Sequence, residues 1–111
     1  MSDVPFREEL GIGPGDAPLE YEPPRDGRVR LSVRLGEQRT GGYRIRVSRI
    51  TRDGPTLTVR CEITAPRDDA IVTQVLTYPA QAVSVDEALV RGVRAAVLVD
   101  QKGTERARVT A

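Results

Sequence analysis

Apolar and polar residues alternate strictly from Arg28 onward: Val29, Leu31, Val33 and Leu35 interleave with Arg28, Arg30, Ser32 and Arg34. A period of two is that of a strand with one buried face. A second run, residues 43–50, sets Ile45 and Val47 against Arg44, Arg46 and Ser48, then slips phase before Ile50, which predicts a bulge at Ser48-Arg49. Asp53-Gly54-Pro55 predicts a turn, and beyond it Leu57, Val59, Cys61 and Ile63 alternate with Thr58, Arg60, Glu62 and Thr64. The spacing predicts three antiparallel neighbours over 29–35, 43–50 and 57–63, the first two joined by the loop Gly36-Glu37-Gln38-Arg39-Thr40-Gly41-Gly42-Tyr43. Its paired glycines suit positive φ and close approach of another backbone.

The remaining segments are shorter. Residues 71–78 are rich in Ile, Val and Thr without alternation and stop at Pro79, as in a strand buried on both faces. Residues 81–85 read as β, 86–91 as one helical turn capped by Asp86, and 93–99 as a central apolar strand. Asp100-Gln101-Lys102-Gly103 turns into an edge strand over 104–110, whose Arg106 and Arg108 discourage sheet-to-sheet association. Ahead of all this, residues 1–27 hold five of the eight prolines and four of the ten glycines. One helical turn over 6–10 is expected there, broken by Gly11-Ile12-Gly13-Pro14-Gly15, with Pro23-Pro24 extended before an Asp26-Gly27 turn. The domain organisation expected is an acidic Pro/Gly-rich lead segment, 1–27, which either wraps the domain or stays solvated, and a β domain, 28–111. The fold class is all-β: an Ig-like β-sandwich or a partly open barrel of about seven antiparallel strands. Its expected core is Val29, Leu31, Val33, Leu35, Ile45, Val47, Leu57, Val59, Cys61, Ile63, Val97 and Val99.

Length and composition narrow the functions. A chain of 111 residues is one domain. It has no apolar run long enough for a membrane span or a signal-peptide core, so it is expected inside the cell as written, or outside it if a leader is removed. Net charge is +1, but residues 1–27 carry seven acids and two arginines while 28–111 carry fifteen bases and nine acids. The lead segment is thus acidic and the β domain basic. Histidine is absent, which removes Ser-His-Asp and Cys-His nucleophiles and imidazole metal ligands. The single cysteine, Cys61, permits neither an internal disulfide nor a zinc cluster.

Three groups of residues invite a chemical reading. Arg28, Arg30, Arg34, Arg44, Arg46 and Arg60 are placed by the alternation on one outward face, a basic strip for phosphates or an acidic partner, or simply a solvated face with cross-strand pairs. With only Phe6, Tyr21, Tyr43 and Tyr78 as aromatics, base stacking is poorly served and no nucleic-acid partner is expected. Asp68-Asp69, with Asp53 or Glu62, resemble a carboxylate pair, but adjacent loop acids are ordinarily solvated. Cys61 on an apolar face behaves as a small hydrophobe. No catalytic residue, metal site or cofactor is expected, and the chain is read as a non-enzyme.

The loop Gly36–Tyr43, the hairpin through Asp53-Gly54, Pro66, and then Val72-Thr73-Gln74-Val75-Leu76-Thr77-Tyr78-Pro79 resemble the PrcB C-terminal domain family over roughly residues 29–85. The Gly-x-x-x-Thr-Gly-Gly-Tyr loop and the Thr-Gln…Thr-x-Pro segment carry the likeness. The resemblance implies a non-catalytic accessory subunit that binds and stabilises a protease. More distantly, Thr40-Gly41-Gly42-Tyr43 resembles the Thr-Thr-Gly-Tyr loop of chagasin-like protease inhibitors, which implies a loop that inserts into an active-site cleft. A structural interaction domain unrelated to proteases is the third reading. On the first reading the partner-binding residues are Arg39, Thr40, Gly41, Gly42, Tyr43, Thr73, Gln74, Thr77 and Pro79, with the glycine backbone groups open to a partner chain and Tyr43 as an anchor.

Overall fold

The computed structural model describes residues 1–13 and 15–111; Pro14, within the predicted glycine-rich break, lies outside the described residues. Nine strands follow one another: β1 (Ser2–Asp3), β2 (Phe6–Glu9), β3 (Leu19–Tyr21), β4 (Arg28–Arg34), β5 (Arg44–Asp53), β6 (Thr56–Thr64), β7 (Ala80–Asp86), β8 (Ala95–Val99) and β9 (Glu105–Thr110). A single 3₁₀ turn, Glu87–Val90, interrupts them, and Asp86 caps it by accepting from the Ala88 N–H at 2.9 Å. One sheet runs β1-β5-β6-β8-β9 and the other β2-β7-β4-β3. The alternating side chains of both sheets meet in one core, with Leu31, Val33, Val83 and Val85 from one side and Ile50, Leu57, Val59, Cys61 and Leu98 from the other. This is an all-β sandwich and not a closed barrel.

Local chemistry sets the corners. Asp26 and Gly27 both take positive φ, 53° and 76°, so the β3–β4 corner is the primed turn that matches strand twist. The β5–β6 register shifts between Val47 and Arg49, where the phase slip predicts a bulge. Asp100, 6 % exposed, organises the β8–β9 turn: its Oδ1 accepts from the N–H of Lys102 at 2.9 Å and of Thr104 at 3.0 Å, and its Oδ2 accepts from Arg106 at 3.4 Å.

Burial pushes the Asp100 carboxyl up, but the Thr104 and Lys102 N–H groups and then Arg106 outweigh it and hold the group below the ordinary carboxylate range. A carboxyl depressed on folding contributes stability that is present above its unfolded value, near 4, and lost as pH falls through the folded value. Glu9, held down first by Ser84 and then by Arg7, and Asp3, held down by Arg49, act in the same direction. Stability is therefore expected to fall below about pH 4. Asp100→Asn should lower the midpoint of thermal unfolding at pH 7 by about 5 °C and make the acid loss shallower, which melting curves at pH 7 and pH 3 would measure.

Several sequence expectations are corrected. Strands β4 and β5 are not neighbours: β4 has β7 on one edge and β3 on the other, and residues 35–43 carry the chain across to the opposite sheet. The basic strip is consequently divided, with Arg28, Arg30 and Arg34 on one sheet and Arg44, Arg46 and Arg60 on the other. Not all pairs are antiparallel, since β6 and β8 run parallel. Residues 6–9 form β2 rather than a helical turn, because the open edge of β7 offers a four-residue ladder where so short a helix has almost no stability of its own. Residues 71–78 are not a buried strand, and Ile71, Val75, Leu76 and Tyr78 stand in solvent. In β8 the core takes Ala96 and Leu98; Val97 is buried on the opposite face and Val99 is half-buried, as are Leu35 and Ile63.

The lead segment covers the outer face of β4. Arg34, only 8 % exposed, donates to the carbonyls of Gly13 and Ala17 and to Glu20 Oε1, each at 3.1 Å. Arg30 meets Glu22 at 3.5 Å and Arg28 donates to Ser84. Four of the seven acids of residues 1–27 thus meet arginines of β4 and β5: Glu20–Arg34 at 3.1 Å, Glu22–Arg30 at 3.5 Å, Glu8–Arg46 at 3.4 Å and Asp3–Arg49 at 2.8 Å.

Candidate functional site

Past Arg34 the chain leaves the sheet and meets residues 73–79 in a short ladder of its own. Leu35 N–H donates to the Pro79 carbonyl at 2.9 Å, Gln38 and Thr77 exchange both main-chain bonds at 2.8 Å, and Gly41 N–H donates to the Thr73 carbonyl at 2.9 Å. Side chains add to it: Thr77 Oγ1 donates to the Thr40 carbonyl at 2.9 Å, and Tyr78 Oη donates to Glu37 Oε1 at 3.0 Å. The Glu37 bond and its negative charge push the Tyr78 phenol up.

Of the two glycines after Thr40, Gly42 has a steric duty. It takes φ +91°, and a Cβ there would sit 2.9 Å from Pro66 Cβ, whereas a Cβ on Gly41 would make an ordinary contact with Thr73 at 3.8 Å. The expectation that their backbones stand open is therefore corrected at Gly41, whose N–H is already given to Thr73.

The two segments expected at the site are indeed brought together. Thr40, Gly41 and Thr77 are half-buried in the seam between them, whereas Arg39, Gly42, Thr73 and Gln74 are exposed. Tyr43 and Pro79 stand slightly apart, half-buried, on the wall of a cavity of ≈ 610 Å³ that also takes in Glu8, Arg44, Arg46 and Gln81. Beside the seam, Ile71, Val75, Leu76 and Tyr78 make an apolar exposed strip that sequence reasoning missed. Its signal is the unalternating Ile, Val and Leu run, which local β preference alone reads as a buried strand. A larger cavity, ≈ 910 Å³, lies over the outer face of β4, and three of its four carboxylates, Glu9, Glu20 and Glu22, are matched with Arg7, Arg34 and Arg30. Cys61 is fully buried and burial pushes its thiol up, which suits packing rather than nucleophilic attack. Asp69 pairs with Arg67 at 3.3 Å in solvent, and no group of three or more metal-ligating side chains occurs among the described residues. No helix among them is long and apolar enough to cross a membrane.

Fold and site together define a class: a two-sheet β domain that presents a laced pair of loops and an apolar strip at one end. The model of the PrcB C-terminal family matches residues 31–86, just over half of the chain, and the chain belongs to that family. The matched span runs from β4 to the end of β7 and so contains both laced segments. The family points to an accessory domain of a protease-related complex. Comparison with curated proteins and with solved structures gave no match.

Proposed function

We propose that this chain is a non-catalytic binding domain, an accessory and stabilising subunit of a protease complex, and that it meets the protease through the laced loops and the strip beside them. The observation that carries the reading is the exposure of Val75, Leu76 and Tyr78 on a segment pinned by main-chain bonds to residues 38–41. Apolar side chains held out on a fixed backbone cost little ordering entropy on binding, and Tyr is a frequent anchor at interfaces. Arg39, Thr73 and Gln74 form the polar margin of this face, with Tyr43 and Pro79 at its far side. Insertion of a projecting loop into a cleft is less well served, since Thr40 and Gly41 are tied to Thr77 and Thr73.

Replacing Val75, Leu76 and Tyr78 together by serine should leave the melting temperature within about 2 °C, because none of the three is buried. It should lower recovery of a cross-linked protease from the native host about tenfold or more, as expected for loss of central apolar anchors. Equal recovery by the folded variant, or wild-type captures that contain no protease, would overturn the proposal.

A further inference from the structure

Strand β5 is paired along its whole length with β6, but on its other side β1 covers only Thr51 and Arg52, with Val4 N–H reaching the Ile50 carbonyl at 2.8 Å. The stretch 44–47 is left as a sheet edge beside the laced loops. The direction of its backbone groups follows from two bonds. Val47 N–H donates to Gln81 Oε1 at 2.7 Å, so it points away from β6. Ile63, the partner of Ile45, gives its N–H to Gln101 Oε1 at 2.9 Å and takes Gln101 Nε2 on its carbonyl at 2.7 Å, so its groups point away from β5. In an antiparallel ladder the two members of such a pair both face outward. The N–H and C=O of Ile45 therefore face the ≈ 610 Å³ cavity between β5 and the start of β7, and no described residue bonds them.

The two glutamines make the comparison sharp. Gln101 satisfies both groups of Ile63 and closes the far side of the sheet, whereas Gln81 satisfies only one group of Val47 and leaves Ile45 open. We infer that residues 44–47 of β5 are a strand-addition site, taken by an extended segment of the protein partner whose side chains alternate apolar and acidic. An added strand would pair with Ile45 and Val47, and Gln81 holds the place of one of its carbonyls. Its inward side chains would continue the apolar row of Ile45 and Val47. Its outward ones would lie beside Arg44 and Arg46, both exposed; Arg46 already has Glu8 at 3.4 Å and Glu62 as its ladder partner on β6, so the acidic preference comes mainly from Arg44, whose ladder partner is Thr64. A second copy of this chain is disfavoured in the same place, because β5 against β5 sets these arginines opposite one another.

This inference rests on the reading of the chain as a binding domain, and the test separates the two. Amide exchange of the full chain is followed by NMR with a blocked seven-residue peptide of alternating valine and glutamate. Two comparison peptides carry lysine for glutamate, or N-methyl groups on the residues that would bond Ile45. The glutamate peptide should slow exchange at Ile45 about tenfold or more, the lysine peptide far less and the methylated one not at all. No slowing at Ile45 at saturating peptide, or equal slowing by the lysine or methylated peptide, would overturn the inference. So would slowing that rises with protein concentration alone, which would mark a second copy. A protease recovered equally with and without saturating peptide retains the accessory-domain reading and overturns the edge; protection of Ile45 with no protease recovered retains the edge and overturns that reading.

Discussion

Leu98→Ala is expected to lower unfolding free energy by about 3 kcal/mol, while Val97→Thr on the adjacent position costs about 1 kcal/mol or less. Leu98 is 1 % exposed and packs with the side chains of both sheets, so its truncation removes buried methyl groups and leaves a cavity that a two-sheet core closes only in part. Val97 is also covered, yet it lies on the other face of β8 between its ladder neighbours Thr58 and Arg108, and a hydroxyl there has polar company. Urea unfolding of the two variants beside wild type measures both. A larger loss for Val97→Thr than for Leu98→Ala would place the core on the wrong side of β8.

Gly42→Ala should be the costliest change in the laced loops, at about 2–3 kcal/mol, against about 1 kcal/mol for Gly36→Ala. The pair is informative because both glycines hold nearly the same φ, +91° and +90°, and so share the conformational penalty of a Cβ in the left-handed region. They differ in surroundings. Nothing lies within 4 Å of the Cβ position at Gly36, whereas at Gly42 the Pro66 Cβ is 2.9 Å away and Val72 Cγ1 3.5 Å. Pro66 Cβ belongs to a ring and cannot swing aside as a flexible side chain does. The difference in urea midpoints between the variants measures the contact alone, and equal midpoints would show that Pro66 yields.

The alternation around Val29, Leu31 and Val33 and around Leu57, Val59 and Cys61 was enough to place those side chains, because one face of each strand is apolar and the other is not. Where that contrast fails, the reading fails with it. Ala95-Ala96-Val97-Leu98-Val99 is apolar throughout, so nothing in it reveals that Ala96 and Leu98, not Val97 and Val99, enter the core, or that β8 runs parallel to β6. The separation of β4 from β5 was hidden for another reason: two successive alternating strands look alike whether they pair or lie in opposite sheets, and only the competitors β3 and β7 decide. Residues 71–78 misled because β-branched residues report local preference and not burial. Motif order in the sequence puts Thr40, Gly41, Thr73 and Thr77 into one candidate group, and the structure sets them side by side. The bonds that join them are mostly main-chain and leave no mark on side-chain identity.

The sheet order also governs what a growing chain does while it is being made. Residues 2–9 leave the ribosome ahead of the rest of this domain, yet their strand partners are residues 51–52 and 82–85, so they emerge long before those partners. Strand β4 can take up the neighbouring β3 through the Asp26-Gly27 corner, but its other partner, β7, comes only after all of β5 and β6 have been added. The hairpin β5–β6 is the longest pairing between consecutive strands, and it is still an unbacked layer until the second sheet arrives. Most closures thus span long stretches of chain, which places this domain among slow, topology-limited folders. A ribosome-bound fragment that ends before Ala80 should be cut readily by protease, while one in which Thr110 has cleared the exit tunnel should resist.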